Sequence, residues 1–339
     1  MLNARWFSIA LLTLSSVVGC GGSSKPAQSP DEVVPLDDPA GAKKPAAPGA
    51  VEAASSKEVS DAMKAIEAKR FSDAKALLDQ AITKNPKDAQ AHYYLGVVNS
   101  SDGGDMKAAI ASYETALELD PKLIDAYVNL SALKLEAKDA EGALATADKG
   151  LAIAKKQPDL ALNRALALET MGKSSEALAA YGDAVSIRPD DFSLKVSYAQ
   201  LLAKANKKTE ALAQLSAIRE CPDPKLLTVG AIIALELDAA ADCVALMDRG
   251  LKLQQVPGLF VRRGMCRDKL KDAPGATADY KKAIELDAKF APAHYYLAQL
   301  VKATDKPQAC KELGLAAELG GAKGIGPSAK KEKTELGCK

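Results

Sequence analysis

The chain has 339 residues, 47% of them hydrophobic but only 4% aromatic, so its core must be assembled chiefly from small side chains. Alanine-rich apolar content favours closely packed helices and points to an all-α protein. A net charge of +1, from 45 Lys+Arg against 44 Asp+Glu, leaves no electrostatic footprint for nucleic acid and no polybasic surface for anionic lipid.

Residues 1–5 form a short basic start, and residues 6–18 are a mainly apolar stretch of 13. That is too short to span a bilayer comfortably and about right for a signal-peptide core. It ends in Val17-Val18-Gly19-Cys20, which resembles the lipobox of bacterial lipoproteins. The resemblance implies that residues 1–19 are removed and that the Cys20 thiol carries a diacylglycerol through a thioether. The lipid would then be the only membrane anchor. The plainer reading is an ordinary secretory signal followed by a stray cysteine. Gly21 is not the aspartate that holds enterobacterial lipoproteins back, which implies delivery to the outer membrane, facing the periplasm.

Residues 20–54 turn to Pro, Ala, Gly and Ser, with Pro26, Pro30, Pro35, Pro39, Pro45 and Pro48. Prolines at this density prevent helix and favour an extended chain with a reach of roughly 100 Å. The segment reads as a passive tether that lifts the remainder off the lipid.

From residue 55 to residue 320 the chain repeats itself. A small residue recurs at Ala74, Ala109, Ala143, Ala177, Ala211, Cys243, Ala276 and Cys310, in steps of 35, 34, 34, 34, 32, 33 and 34. Twelve or thirteen residues before each stands Ala62, Gly96, Ser131, Ala165, Ala199, Ala231, Gly264 or Ala298. Seven residues after each the position is again small, except at Ile218. Two helices of a hairpin approach closely only where small residues face each other, with large ones such as Tyr113, Tyr181 and Tyr280 filling the flanks. No single hairpin buries its own apolar face, so neighbours must stack.

Small residues at positions 8, 20 and 27 of a 34-residue unit, an aromatic at 24 and a proline at 32 resemble the tetratricopeptide repeat. His92-Tyr93-Tyr94-Leu95-Gly96 … Ala109 … Tyr113 … Ala116 … Pro121 carries the pattern, as does Phe260 … Gly264 … Ala276 … Tyr280 … Ala283. The resemblance implies an α-solenoid, a right-handed superhelix of about eight helical hairpins. The sixth unit departs most, with Met247 and Gly250 at the later positions and no closing proline. A register shift or local bend is expected there. Residues 321–339 are either a polar cap on the last hairpin or a frayed tail.

Little suggests catalysis. The two histidines, His92 and His294, fall at the same repeat position and read as half-buried structural residues. No metal-ligand, nucleophile-elbow or phosphate-loop motif occurs, so neither enzyme activity nor a cofactor or metal is expected. Cys221, Cys243, Cys266, Cys310 and Cys338 all lie in the C-terminal third. They are either buried thiols standing in for alanine or, in an oxidising compartment, staples. The staples considered are Cys310 with Cys338 and Cys243 with Cys266, leaving Cys221 over.

Family geometry implies a concave groove lined by the first helix of each hairpin, here including Tyr93, Asp125, Asn129, Asn163, Glu169, Gln200 and Lys204. In relatives, asparagine at the position of Asn129 and Asn163 bonds the backbone of an extended peptide. Position 5 is nowhere lysine, so the family's two-carboxylate clamp is not expected. These readings converge on a scaffold of the cell envelope that binds an extended or helical segment of an envelope protein. Assembly of a complex such as a pilus secretin is one such role. The alternatives are an adaptor for cell-wall enzymes, a self-associating spacer and, with less support from the residues, a carrier of a small ligand or metal.

Overall fold

The computed structural model describes residues 56–101 and 104–338. The signal-peptide, Cys20 and tether readings lie outside the described residues. Within them the chain forms seventeen helices and no strand. Sixteen pair as consecutive hairpins: α1 (Lys57–Glu67) with α2 (Phe71–Lys84), α3 (Ala89–Asn99) with α4 (Met106–Leu119), α5 (Ile124–Glu136) with α6 (Ala140–Ile153), and α7 (Pro158–Thr170) with α8 (Ser174–Ile187). Then come α9 (Phe192–Lys204) with α10 (Lys208–Ala217), α11 (Pro224–Glu236) with α12 (Ala240–Leu253), α13 (Pro257–Lys269) with α14 (Ala273–Leu286), and α15 (Ala291–Val301) with α16 (Lys306–Leu319). The last helix, α17 (Gly326–Glu335), packs on α16 and buries Ala329 there.

The helix boundaries have local causes. Asp88, Asp105, Asp139, Asp191, Asp223, Asp272 and Asp305 each accept backbone N–H groups of the helix that follows, satisfying donors otherwise left orphaned. In six hairpins the turn closes through one residue in the left-handed region: Lys69, Lys138, Gly172, Asn206, Asp238 or Lys271. The next residue then donates back to the first helix, as Asp139 N–H does to the Lys134 carbonyl at 2.8 Å. This is a Schellman-type end that reverses the chain in a few residues.

Packing follows the small-residue pattern. A Cβ built on Gly96 would lie 2.6 Å from the Tyr113 ring, and one on Gly264 would lie 2.5 Å from the Tyr280 ring. Each ring therefore fills the space that a side chain would take on the facing helix, and Tyr113, Tyr181 and Tyr280 are all buried. Odd-numbered helices of successive hairpins also touch: α1 with α3, α5 with α7, α9 with α11, and α13 with α15. Among even-numbered helices the comparable contact is that of α10 with α12. The odd helices thus line the inner, concave side.

The irregularity falls one helix earlier than expected. The sixth hairpin, α11–α12, has helices of ordinary length, 13 and 14 residues. The short element is α10, with 10 residues where the other second helices have 14. Pro222 and Pro224 cannot continue a helix, and the 32-residue step is absorbed by ending α10 at Ala217.

Candidate functional site

Counting from the first residue of α3, α5, α7, α9, α11, α13 or α15, positions 2, 6, 9 and 13 are spaced 4, 3 and 4 apart. That spacing puts them on one stripe of each helix. Contacts between successive inner helices run through this stripe and its flanks. Asn129 Nδ2 donates to the Tyr93 hydroxyl at 3.3 Å, joining α5 to α3. Asn163 Nδ2 donates to the Val128 carbonyl at 3.2 Å and to Ser131 Oγ at 2.8 Å, joining α7 to α5. Lys204 Nζ lies 3.8 Å from Glu169 Oε1, joining α9 to α7, and the Tyr181 hydroxyl donates to Glu169 Oε2 at 2.7 Å.

The residues singled out from the sequence therefore fall into two groups. Tyr93, Asp125 and Asn129 are brought together at α3 and α5. Burial, then the negative charge of Asp125, pushes the Tyr93 phenol up. Burial followed by the charges of Asp125 and Glu67 pushes Tyr94 up to about 12. Glu169 and Lys204 form the second group, with Gln200 half-buried one turn before Lys204 on the same stripe. Asn163 stands apart: it is buried, and both hydrogen atoms of its amide serve the preceding hairpin. It braces α7 on α5.

The rest of the stripe offers apolar and charged groups to solvent. Met63, Val229, Ile232, Met265 and Tyr296 are half-buried, and Glu67, Glu136, Lys204, Lys225, Glu236 and Lys269 are exposed. The concave side therefore presents half-open apolar groups beside exposed charges of both signs.

Several other residues brace the array. His294 Nε2 donates to the Ala288 carbonyl at 3.0 Å, while Nδ1 meets Glu312 Oε2 at 2.5 Å in a buried pair. His92 Nε2 donates likewise to the Pro86 carbonyl at 3.0 Å. Both histidines thus pin the turn before their own helix. Arg263 reaches Asp279 at 2.6 Å and Asp248 at 2.7 Å, and Arg267 reaches Asp279 at 2.9 Å. Sequence reasoning missed this network because its members look like ordinary solvated charges until α12, α13 and α14 are packed together.

Cys243 on α12 is bonded to Cys266 on α13, with Cα atoms 5.8 Å apart. Cys310 on α16 is bonded to Cys338 beyond α17, with Cα atoms 5.5 Å apart. Cys221 is free and buried in the connection after α10. Among the described residues no group of three or more His, Cys, Asp or Glu could hold a metal ion, and no helix is long and apolar enough to cross a membrane.

A family model of the tetratricopeptide repeat matches residues 62–124 and 162–223. No curated protein matches the chain in sequence. Among solved structures it is similar to a tetratricopeptide repeat protein from Parabacteroides merdae, at 18% identity and TM-score 0.49 over 77% of this chain and 97% of that one. It is similar to pilF of Pseudomonas aeruginosa, at 18% and 0.49 over 58% of this chain and 90% of that one. Yeast Tom70 is similar at 17% and 0.47 over 86% of this chain and 66% of that one. The segments 62–124 and 162–223 match the tetratricopeptide repeat, and the helical hairpins of the described residues form an all-α solenoid with that fold.

Proposed function

We propose that the protein is an interaction scaffold that binds a segment of a partner protein along its concave groove. The observation that carries this reading is the inner stripe, where half-buried Met63, Val229, Ile232, Met265 and Tyr296 alternate with exposed charges. Apolar groups left half-open on a rigid concave surface, rimmed by charge, suit an amphipathic or extended segment. Asn129, Gln200 and Lys204 are its adaptable polar contacts, Tyr93, Asp125 and Glu169 shape it, and Asn163 holds its curvature.

The remaining parts of the proposal come from the N-terminal sequence. Lipidation at Cys20 anchors the array to the outer membrane facing the periplasm, and residues 20–54 tether it. Partners are then envelope proteins, and assisting the assembly of an envelope complex such as a pilus secretin is the role this arrangement suits. Bringing cell-wall enzymes to their targets is the alternative. Self-association through an odd cysteine has less support, because Cys221 is buried and the other four described cysteines are paired.

The test is Ile232→Glu combined with Met265→Glu, which charges the stripe while leaving the braces between helices alone. Partner capture by cross-linking in intact cells should fall at least ten-fold with helix content unchanged. Undiminished capture would overturn the groove as the binding site.

A further inference from the structure

The two disulfides sit in opposite surroundings. Cys243 is the fourth residue of α12, the place that Ala276 takes in α14, and both it and Cys266 are fully buried. In α16 that place belongs to buried Ala309, and Cys310 follows one residue later, turned about the helix axis by roughly 100°. Cys310 and Cys338 are both half-buried, so the second disulfide lies at the surface and the first in the core.

What the surface disulfide holds is a helix with little else to hold it. α17 reads Gly-Pro-Ser-Ala-Lys-Lys-Glu-Lys-Thr-Glu, and of these residues only Gly326 and Ala329 are buried. Ile325 just before it is buried too, and Leu336 just after it packs on the same small cluster as Ala309, Leu313 and Ala316 of α16. The Tyr295 hydroxyl of α15 donates to Glu332 Oε1.

A helix this short is marginal on its own in water. Burial of Ile325 and Ala329 offsets only part of the conformational entropy lost in ordering it. Cys338 closes the 28-residue span from Cys310 directly behind the last turn, where the Gly337 and Cys338 N–H groups donate back to the Thr334 and Lys333 carbonyls. The cross-link removes much of the chain entropy that the undocked state would otherwise gain.

We propose that Cys310–Cys338 is a thiol–disulfide exchange site whose reaction partner is a protein dithiol, and that its state decides whether α17 stays docked. One thiolate of the dithiol attacks a sulfur of the bond, forms a mixed disulfide with it and expels the other cysteine, which takes up a proton. The second thiolate of the dithiol then attacks its own partner sulfur in that mixed disulfide and expels the remaining cysteine. Two electrons and two protons have then passed to the chain, and the dithiol has become a disulfide. α17 undocks and uncovers Leu313 and Ala316 at the end of the array. Cys243–Cys266 has both residues buried between α12 and α13, out of reach of a protein reductant, and keeps the sixth and seventh hairpins joined. Cys221 does not interfere: it is buried, and burial pushes its thiol up, so it offers little thiolate. This inference does not depend on where a partner segment binds.

The test treats the full chain with reduced thioredoxin, a protein dithiol, then alkylates the thiols and maps the peptides, with hydrogen exchange followed in parallel. We expect Cys310 and Cys338 to be alkylated while Cys243 and Cys266 stay bonded. Amide exchange in α17 should speed up by roughly a hundred-fold, with α1 to α12 unchanged. Cys310→Ala with Cys338→Ala should show the fast exchange without reductant and no further response to it. A Cys310–Cys338 bond left intact by the dithiol, or cut no faster than Cys243–Cys266, would overturn the exchange site. Exchange in α17 that stays slow after the bond is cut, or in the double alanine variant, would overturn the latch.

Discussion

Ile218 and Gly230 are a matched pair: a Cβ built on Gly230 would lie 2.7 Å from Ile218 Cδ1. Ile218 stands where every other unit has a small residue, and it is fully buried. The next inner helix, α11, gives up its side chain at Gly230 to receive it. Gly230→Ala should therefore destabilise by about 1–2 kcal/mol, overpacking outweighing the better helix propensity. In an Ile218→Ala background the same change should be neutral or favourable, a coupling of about 1–2 kcal/mol readable from urea unfolding of the four proteins. Additive effects would show that the two residues do not share the space.

The hairpin turns hold lysine where glycine is easier. Lys138 has φ 63° and an exposed side chain. A left-handed conformation costs a residue with a Cβ roughly 1–2 kcal/mol, partly offset by the greater freedom glycine loses on folding. Lys138→Gly is predicted to stabilise by about 0.5–1 kcal/mol, seen as a raised urea midpoint at constant m-value. A lowered midpoint would mean that the side chain contributes more than the strain it brings.

High pH should weaken the array through its buried phenols. Burial pushes Tyr113 up to about 12, and burial with the charges of Asp125 and Glu67 does the same for Tyr94. An unfolded tyrosine loses its proton near pH 10. Above that value the unfolded state binds fewer protons than the folded one, so stability falls from about pH 10 to about pH 12. Each phenol accounts for roughly 2–3 kcal/mol over that window. Unfolding midpoints measured from pH 8 to pH 12 should decline only above about 10, and Tyr94→Phe should lessen the decline.

The two disulfides should act locally. Cys310 and Cys338 close a 28-residue span that carries α17, and removing such a cross-link costs roughly 3 kcal/mol. Because each hairpin of a solenoid touches only its neighbours, the loss should stay near the C-terminal end. Cys310→Ser with Cys338→Ser should speed hydrogen exchange in α15, α16 and α17 and leave α1 to α4 unchanged. Non-reducing peptide mapping of the parent should find a free thiol at Cys221 and none at the other four described cysteines.

How far the sequence reaches is visible in particular residues. Small residues at fixed spacing give eight hairpins because they set how near two backbones can come, and Gly96 against Tyr113 is that rule in atoms. The turn conformation at Lys69, Lys138 and Lys271 left no mark, because lysine there looks like any surface residue. The spacing points to a register shift or bend in the sixth unit, whereas the shortened element is α10, since spacing reports a deficit between two landmarks without saying which element absorbs it. Asn163 and Asn129 share a repeat position, yet one is spent on the Val128 carbonyl and Ser131 while the other reaches Tyr93. What separates them is the neighbouring helix, and a one-dimensional pattern does not contain it.

The claim that the concave groove is the working surface is tested most directly by photo-cross-linking in intact cells. A photoreactive residue would replace Gln200 or Ile232 on the inner stripe, or exposed Ala179 on the outer helix α8. The groove account predicts the same partner adduct from positions 200 and 232 and none from position 179. Adducts from position 179 with none from the two inner positions would contradict it.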